Sequence, residues 1–64
     1  MTPALEELAI LRLPNVMRLT GLGRTTIYDM MAKGMFPRPV SLGFRAVGWR
    51  ASDIRAWIET RRAA

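Results

Sequence analysis

Arg24, Thr25, Thr26 and Tyr28 place a guanidinium, two hydroxyls and a phenol within five positions. These groups donate and accept hydrogen bonds at fixed geometry. An arginine fork suits a guanine edge or a phosphate, and threonine adapts to either. A second group lies downstream, where Phe44 and Arg45 follow Gly43, with Arg38 and Arg50 on either side. Lys33 adds a cation eight residues after Thr25. These are recognition chemistries. Covalent chemistry has little to draw on, because the chain has no cysteine and no histidine, and its five carboxylates form no obvious pair. The commonest general base, the commonest metal ligand and any thiolate are therefore missing. No catalytic residue, metal site or cofactor is expected, and an enzyme is not.

The elements that would hold these residues can be read in order. Pro14 suits the first turn of a helix, with Asn15 beside it as a plausible start residue, and Val16, Met17, Leu19 and Leu22 offer apolar contacts. Thr20 and Gly21 end that helix. Gly21-Leu22-Gly23 then forms a tight turn, with Gly21 at the left-handed closing position and Leu22 as a buried plug. Gly23 is a weak start residue for the next helix, since it has no side-chain oxygen for the free amides. This second helix is predicted over about 24–33, stopped by Gly34. With Ile27 at the centre of the buried face, Met30 and Met31 share that face at ~100° per residue. Thr25, Asp29 and Ala32 then fall opposite, flanked by Tyr28 and Lys33.

Pro37 and Pro39 force an extended connection around Arg38. Val40-Ser41-Leu42 and Ala46 to Arg50 alternate as two short strands around Gly43-Phe44-Arg45, a hairpin with Val47 or Trp49 facing inward. Ser52 is predicted as the start residue of a last helix, followed by Asp53 in its first turn. Ile54, Trp57, Ile58 and Arg61 fall at i, i+3, i+4 and i+7, and Trp57 is expected to supply the largest piece of the core. At the other end, Pro3 could open a short helix over Leu5, Leu8 and Ala9. An extended approach at Leu11 to Leu13 is favoured over a long helix there.

Sixty-four residues allow one domain with a small core. We divide it into an N-terminal extension (1–10), a folded domain (11–62) and a tail (63–64). The expected class is mainly α with a small β-hairpin, a winged helix-turn-helix of three helices plus a two-stranded wing at about 40–50. The formal net charge is +5, and nine of the ten cations are arginine, which suits a polyanion. No run reaches the ~20 apolar residues of a membrane span. Glu6 and Glu7 stand where a secretion signal would be basic, so a cytoplasmic protein is the default.

A short helix, a sharp glycine turn and a second helix with a polar outer face meet the needs of major-groove reading by the second helix. An ordinary helical hairpin with a solvated polar face meets the same pattern. Asp29 could accept from a cytosine amino group, or it could simply pair with Arg24 or Lys33. Tyr28 could reach a phosphate or pack against the hairpin. Phe44-Arg45 could approach a minor groove or the flanking backbone, or Phe44 could fold back onto the core. Arg38 and Arg50 are better suited to phosphates than to bases.

The run LRLPNVMRLTGLGRTTIYDMMAKGMFPRPVSLGFRAVGWRASDIRAWI resembles the AlpA family of small phage and prophage regulators, in the MerR-like winged helix-turn-helix group that also includes phage excisionases. The likeness runs from Leu11 to about Arg62. Its most specific pieces are GLGRTTIY, FPRPV and VGWRASDIRAWI. The resemblance implies a sequence-specific DNA-binding transcriptional regulator, often one that activates an integrase or excision function. By position, Arg24, Thr25, Thr26 and Tyr28 resemble the family's recognition-helix contacts, and Phe44 and Arg45 its wing. Two positions depart from the pattern. Gly23 replaces a usual serine, and Asp29 replaces a usual basic residue.

Double-stranded DNA is the expected partner, with an integrase, another recombinase or RNA polymerase as candidate protein partners. No membrane partner is expected. With no heptad repeat or dimer helix in view, a monomer that assembles on repeated sites is the expected state. Two other roles use the same residues: an excisionase-like architectural protein that bends DNA, and an antirepressor that contacts a regulator.

Overall fold

The computed structural model describes residues 8–61. Its elements are β1 (Ile10–Leu11), α1 (Leu13–Thr20), α2 (Arg24–Ala32), β2 (Val40–Gly43), β3 (Ala46–Arg50) and α3 (Ala51–Glu59). The suggested start of a helix at Pro3, and the tail at 63–64, lie outside the described residues.

Pro14 occupies the first turn of α1, where its missing N–H costs nothing. Gly21 ends the helix in the left-handed region, at φ 75°, and its N–H donates to the Met17 carbonyl. Thr20, expected to end the helix together with Gly21, adds its hydroxyl to the closure. Its hydroxyl donates to the Val16 carbonyl at 2.8 Å and accepts the Leu22 N–H at 3.3 Å. As expected from Gly23, α2 starts without a side-chain cap. It stops at Gly34, at φ 72°, where the Gly34 N–H donates to Met31 and the Met35 N–H to Met30. Those two bonds make the paired closure of a Schellman motif.

β2 and β3 form the expected antiparallel hairpin, with Val40 opposite Gly48 and Ser41 opposite Val47. The register shifts by one between Ser41 and Gly43, a bulge at the approach to the tip. The sheet itself differs from the expectation. It has three strands, ordered β1-β3-β2, because Ile10 pairs with Arg50 and Leu11 with Trp49. The extended approach to α1 is therefore a strand rather than a bare lead-in, and Leu13 already belongs to the helix. Gly48 makes this pairing possible. A Cβ there would lie 2.9 Å from the Leu11 carbonyl oxygen and would also strike the Ile10 side chain.

The core takes one residue from each helix, one from the connection and one from the sheet: Val16, Ile27, Ile54, Phe36 and Trp49. Two sequence expectations are corrected here. Trp57 is only half-buried, and the fully buried indole is Trp49 on β3. Ile58 and Leu19, both expected to pack, are exposed at 37% and 55%. The physical reason lies in the indole N–H groups, which need acceptors. Trp57 Nε1 donates to the Met35 carbonyl and Trp49 Nε1 to the Pro37 carbonyl, each at 3.0 Å. Both tryptophans thus staple the proline-rich connection, Trp57 at the rim and Trp49 within. Phe36 sits edge-on to Trp57, with ring centroids 4.9 Å apart. The last helix also begins two residues early, at Ala51, so Ser52 lies inside its first turn and is not the cap. Among the described residues no helix is long and apolar enough to cross a membrane.

Candidate nucleic-acid interface

α2 divides its faces as its spacing predicts. Ile27 is fully buried, Met30 and Met31 pack partly against the core, and Thr25, Thr26, Asp29 and Ala32 are exposed. Arg24 stands at the exposed first position of the helix. Tyr28, one turn on, is 46% exposed. The helix is held by one deep anchor and two methionines on a single side, which leaves the opposite face free of packing duties.

The hairpin tip is equally open. Phe44 is 90% exposed, so it does not fold back onto the core. Arg45 follows in the left-handed region at φ 57°, and its guanidinium lies 5.1 Å from the Phe44 ring centroid. Val47 and Trp49 share one face of β3 by strand alternation. Trp49 goes into the core, and Val47 lies beyond it, 42% exposed.

A cleft of about 250 Å³ joins these parts. Arg24 and Tyr28 line it from α2, Arg45 and Val47 from the hairpin, and Arg12 and Pro14 from the start of α1. Three of the sequence-predicted residues, Arg24, Tyr28 and Arg45, are therefore brought to one place. Thr25 and Thr26 lie beside it on the exposed first turn. Tyr28 lines the cleft together with Arg45 and Val47 of the hairpin and remains accessible.

The remaining predicted residues are elsewhere. Lys33 is tied to Asp29 at 3.0 Å across one helical turn, which is the simple pairing weighed for Asp29. Arg38 lines a shallow groove against α3, together with Asp53 and Trp57. Arg50 is on the face of β3 opposite Trp49, next to Ile10 in register. Neither Arg38 nor Arg50 reaches the cleft. Arg12 was not singled out by sequence reasoning and does reach it. The available signal was a cation two residues before the proline that opens a helix, a position that faces whatever approaches the helix start.

Among the described residues, no carboxylate forms an ion pair with Arg12, Arg24 or Arg45. Among the described residues, the one side-chain partner of these three guanidinium groups is the Phe44 ring, beside Arg45. Three cations and a phenol around one concavity form a surface that favours anions. No group of three or more metal-ligating side chains is present among the described residues.

The chain matches the family model for the Prophage CP4-57 regulatory protein (AlpA) over residues 9–62. It is 46% identical over 61 residues to an uncharacterized protein, ORF88, of Enterobacteria phage P4, covering 95% of this chain and 69% of that protein. It is 40% identical over 58 residues to the DNA-binding transcriptional activator AlpA of Escherichia coli (strain K12), covering 81% of this chain and 83% of that one. No solved structure matches. The matched span takes in β1 to β3 and α1 to α3, and the chain belongs to the AlpA family of phage and prophage regulatory proteins.

Proposed function

We propose that this protein is a sequence-specific DNA-binding transcriptional regulator of the AlpA type. It places α2 in the major groove and sets the hairpin tip on the adjacent backbone or minor groove, in the manner of MerR-like winged helix-turn-helix proteins. The observation that carries this reading is the shared cleft. The first turn of α2 and the tip of the hairpin flank one concavity lined by arginines without carboxylate partners among the described residues. The name of the Escherichia coli relative adds support.

In this reading Arg24 faces base edges, with Thr25 and Thr26 as its neighbours, while Phe44 and Arg45 follow the flanking strand. Lys33, held by Asp29, is a peripheral contact. Arg38 and Arg50 act, if at all, from outside the central footprint. The longest dimension of the molecule is 34 Å, which is about one turn of duplex, ~34 Å. One domain therefore reads a short site, and tight specificity calls for several copies or a partner protein.

The test is selection of bound sequences from a random DNA pool, at two salt concentrations, for the wild type and Arg24→Ala. A defined motif is expected for the wild type. Arg24→Ala should relax the motif at one or two positions and cost about 1–3 kcal/mol on the selected site. Equal loss on selected and random DNA would remove Arg24 from base reading. No enrichment by the wild type at either salt would overturn the function itself.

A further inference from the structure

We infer that the cleft between the start of α1, α2 and the hairpin seats a single DNA backbone phosphate, and that Arg12 is its principal unrecognised contact. This rests on the DNA-binding reading above and adds a residue and a ligand group to it.

The start of α1 shows why a side chain must do this work. Helix starts hold anions through free backbone N–H groups. Here Pro14 has none, and the Asn15 and Val16 amides both donate to the Arg12 carbonyl at 3.0 Å. Few amides are left for a ligand. The Arg12 backbone is fixed by the same two bonds, yet its side chain caps nothing. It is an exposed guanidinium, with no carboxylate paired to it among the described residues, on the rim of a cleft that Arg24 and Arg45 also line.

Three like charges around one concavity repel one another, and an anion between them relieves that repulsion. Leu13, Pro14 and Val47 line the cleft beside the arginines, and such partial shielding from water strengthens charge-assisted bonds. A volume of about 250 Å³ holds a phosphodiester and several waters, each taking roughly 30 Å³. Thr25 and Thr26 are not part of the lining, so a phosphate there leaves them free to face base edges. Because the contacts come from Arg12 at the start of α1, Tyr28 of α2 and Arg45 of the hairpin, with Arg24 adding charge at the rim while it faces base edges, one seated phosphate fixes all three elements relative to a single strand. Arg12 is thus a positioning contact for the whole reading head.

The experiment pairs two measurements on the site selected by the wild type. Affinity is measured against salt concentration for the wild type, Arg12→Ala, Arg12→Lys and Arg12→Gln. Each DNA phosphate is then replaced in turn by a neutral methylphosphonate. Arg12→Ala and Arg12→Gln should weaken selected and random DNA alike and flatten the log–log salt slope by about 0.9, the value for one phosphate. Arg12→Lys should restore the slope. One phosphate whose neutralisation weakens the wild type at least tenfold should matter less than threefold to Arg12→Ala. Heat melting of the free variants confirms that they are folded, and Arg12→Gln, which keeps part of the aliphatic stem, stands in if alanine unfolds.

The inference is overturned if both neutral variants keep the wild-type slope and methylphosphonate profile. It is also overturned if they change base preference instead of overall affinity. Loss of binding in Arg24→Ala and Arg45→Ala, with Arg12→Ala and Arg12→Gln binding like the wild type, would sink this inference alone. Failure of the wild type to bind any duplex would sink it together with the functional reading.

Discussion

Arg45, a DNA contact in the function proposed above, sits on a backbone that favours glycine. At φ 57° an L-residue other than glycine carries about 1–2 kcal/mol of steric penalty. The contact between its guanidinium and the Phe44 ring returns about 0.5–1 kcal/mol at an exposed site. Backbone and charge can be separated by two substitutions. Arg45→Ala keeps the strained position without the cation, and Arg45→Gly relieves the strain as well. Both should lose DNA affinity to the same extent. Arg45→Gly should melt about 4–8 °C above Arg45→Ala, the shift expected of ~1 kcal/mol in a domain this small. Equal melting temperatures would show that the tip is unstrained. Lys33 behaves differently. Its exposed pair with Asp29 is worth about 0–1 kcal/mol, so the ammonium exchanges readily to another anion.

At the scale of elements, β3 is the piece to which the others are fitted. It pairs with β1 and β2, and α1 and α3 pack against it. Gly48 at its centre is buried, with the Ile10 and Leu42 side chains close on either side. Gly48→Ala places a Cβ 2.9 Å from the Leu11 backbone oxygen, and backbone cannot rotate away. We expect a loss of about 1–3 kcal/mol in urea unfolding, as for other overpacked sites. An unchanged midpoint would mean that β1 is not held as described.

Much of this arrangement was legible in the sequence because its signals are local. Gly21 and Gly34 end their helices where left-handed glycine is required, and the hairpin strands fall where alternation resumes after Pro39. β1 was not legible as a strand, since two residues carry no period and the partner lies 40 positions away, Ile10 against Arg50. The core tryptophan was misread for a related reason. Helical spacing made Trp57 look central, and nothing in that spacing reveals that its N–H must reach the Met35 carbonyl at the rim. In the cleft, Arg24 and Arg45 stood out beside recognisable elements. Arg12 did not, because its role depends on a hairpin more than thirty residues downstream.

The whole molecule has five buried side chains at its centre among the described residues, and each of the first four is followed within 13 positions by another. Val16, Ile27, Phe36, Trp49 and Ile54 therefore meet through short intervening loops. The β1–β3 pairing is more distant than these steps, because it closes a segment of 40 residues. Loop-closure entropy grows with the length of that segment, and distant pairings of this kind tend to form after local ones. Contacts made after the transition state change the unfolding rate and leave the folding rate nearly untouched. Ile10→Ala, which trims a half-exposed side chain in β1, should speed unfolding about fivefold for ~1 kcal/mol lost. Its refolding rate should stay within about twofold of the wild type in stopped-flow denaturant jumps, and a refolding rate slowed fivefold would place β1 in the folding nucleus instead. The lifetime of the folded domain, rather than its speed of assembly, is then governed by a strand two residues long.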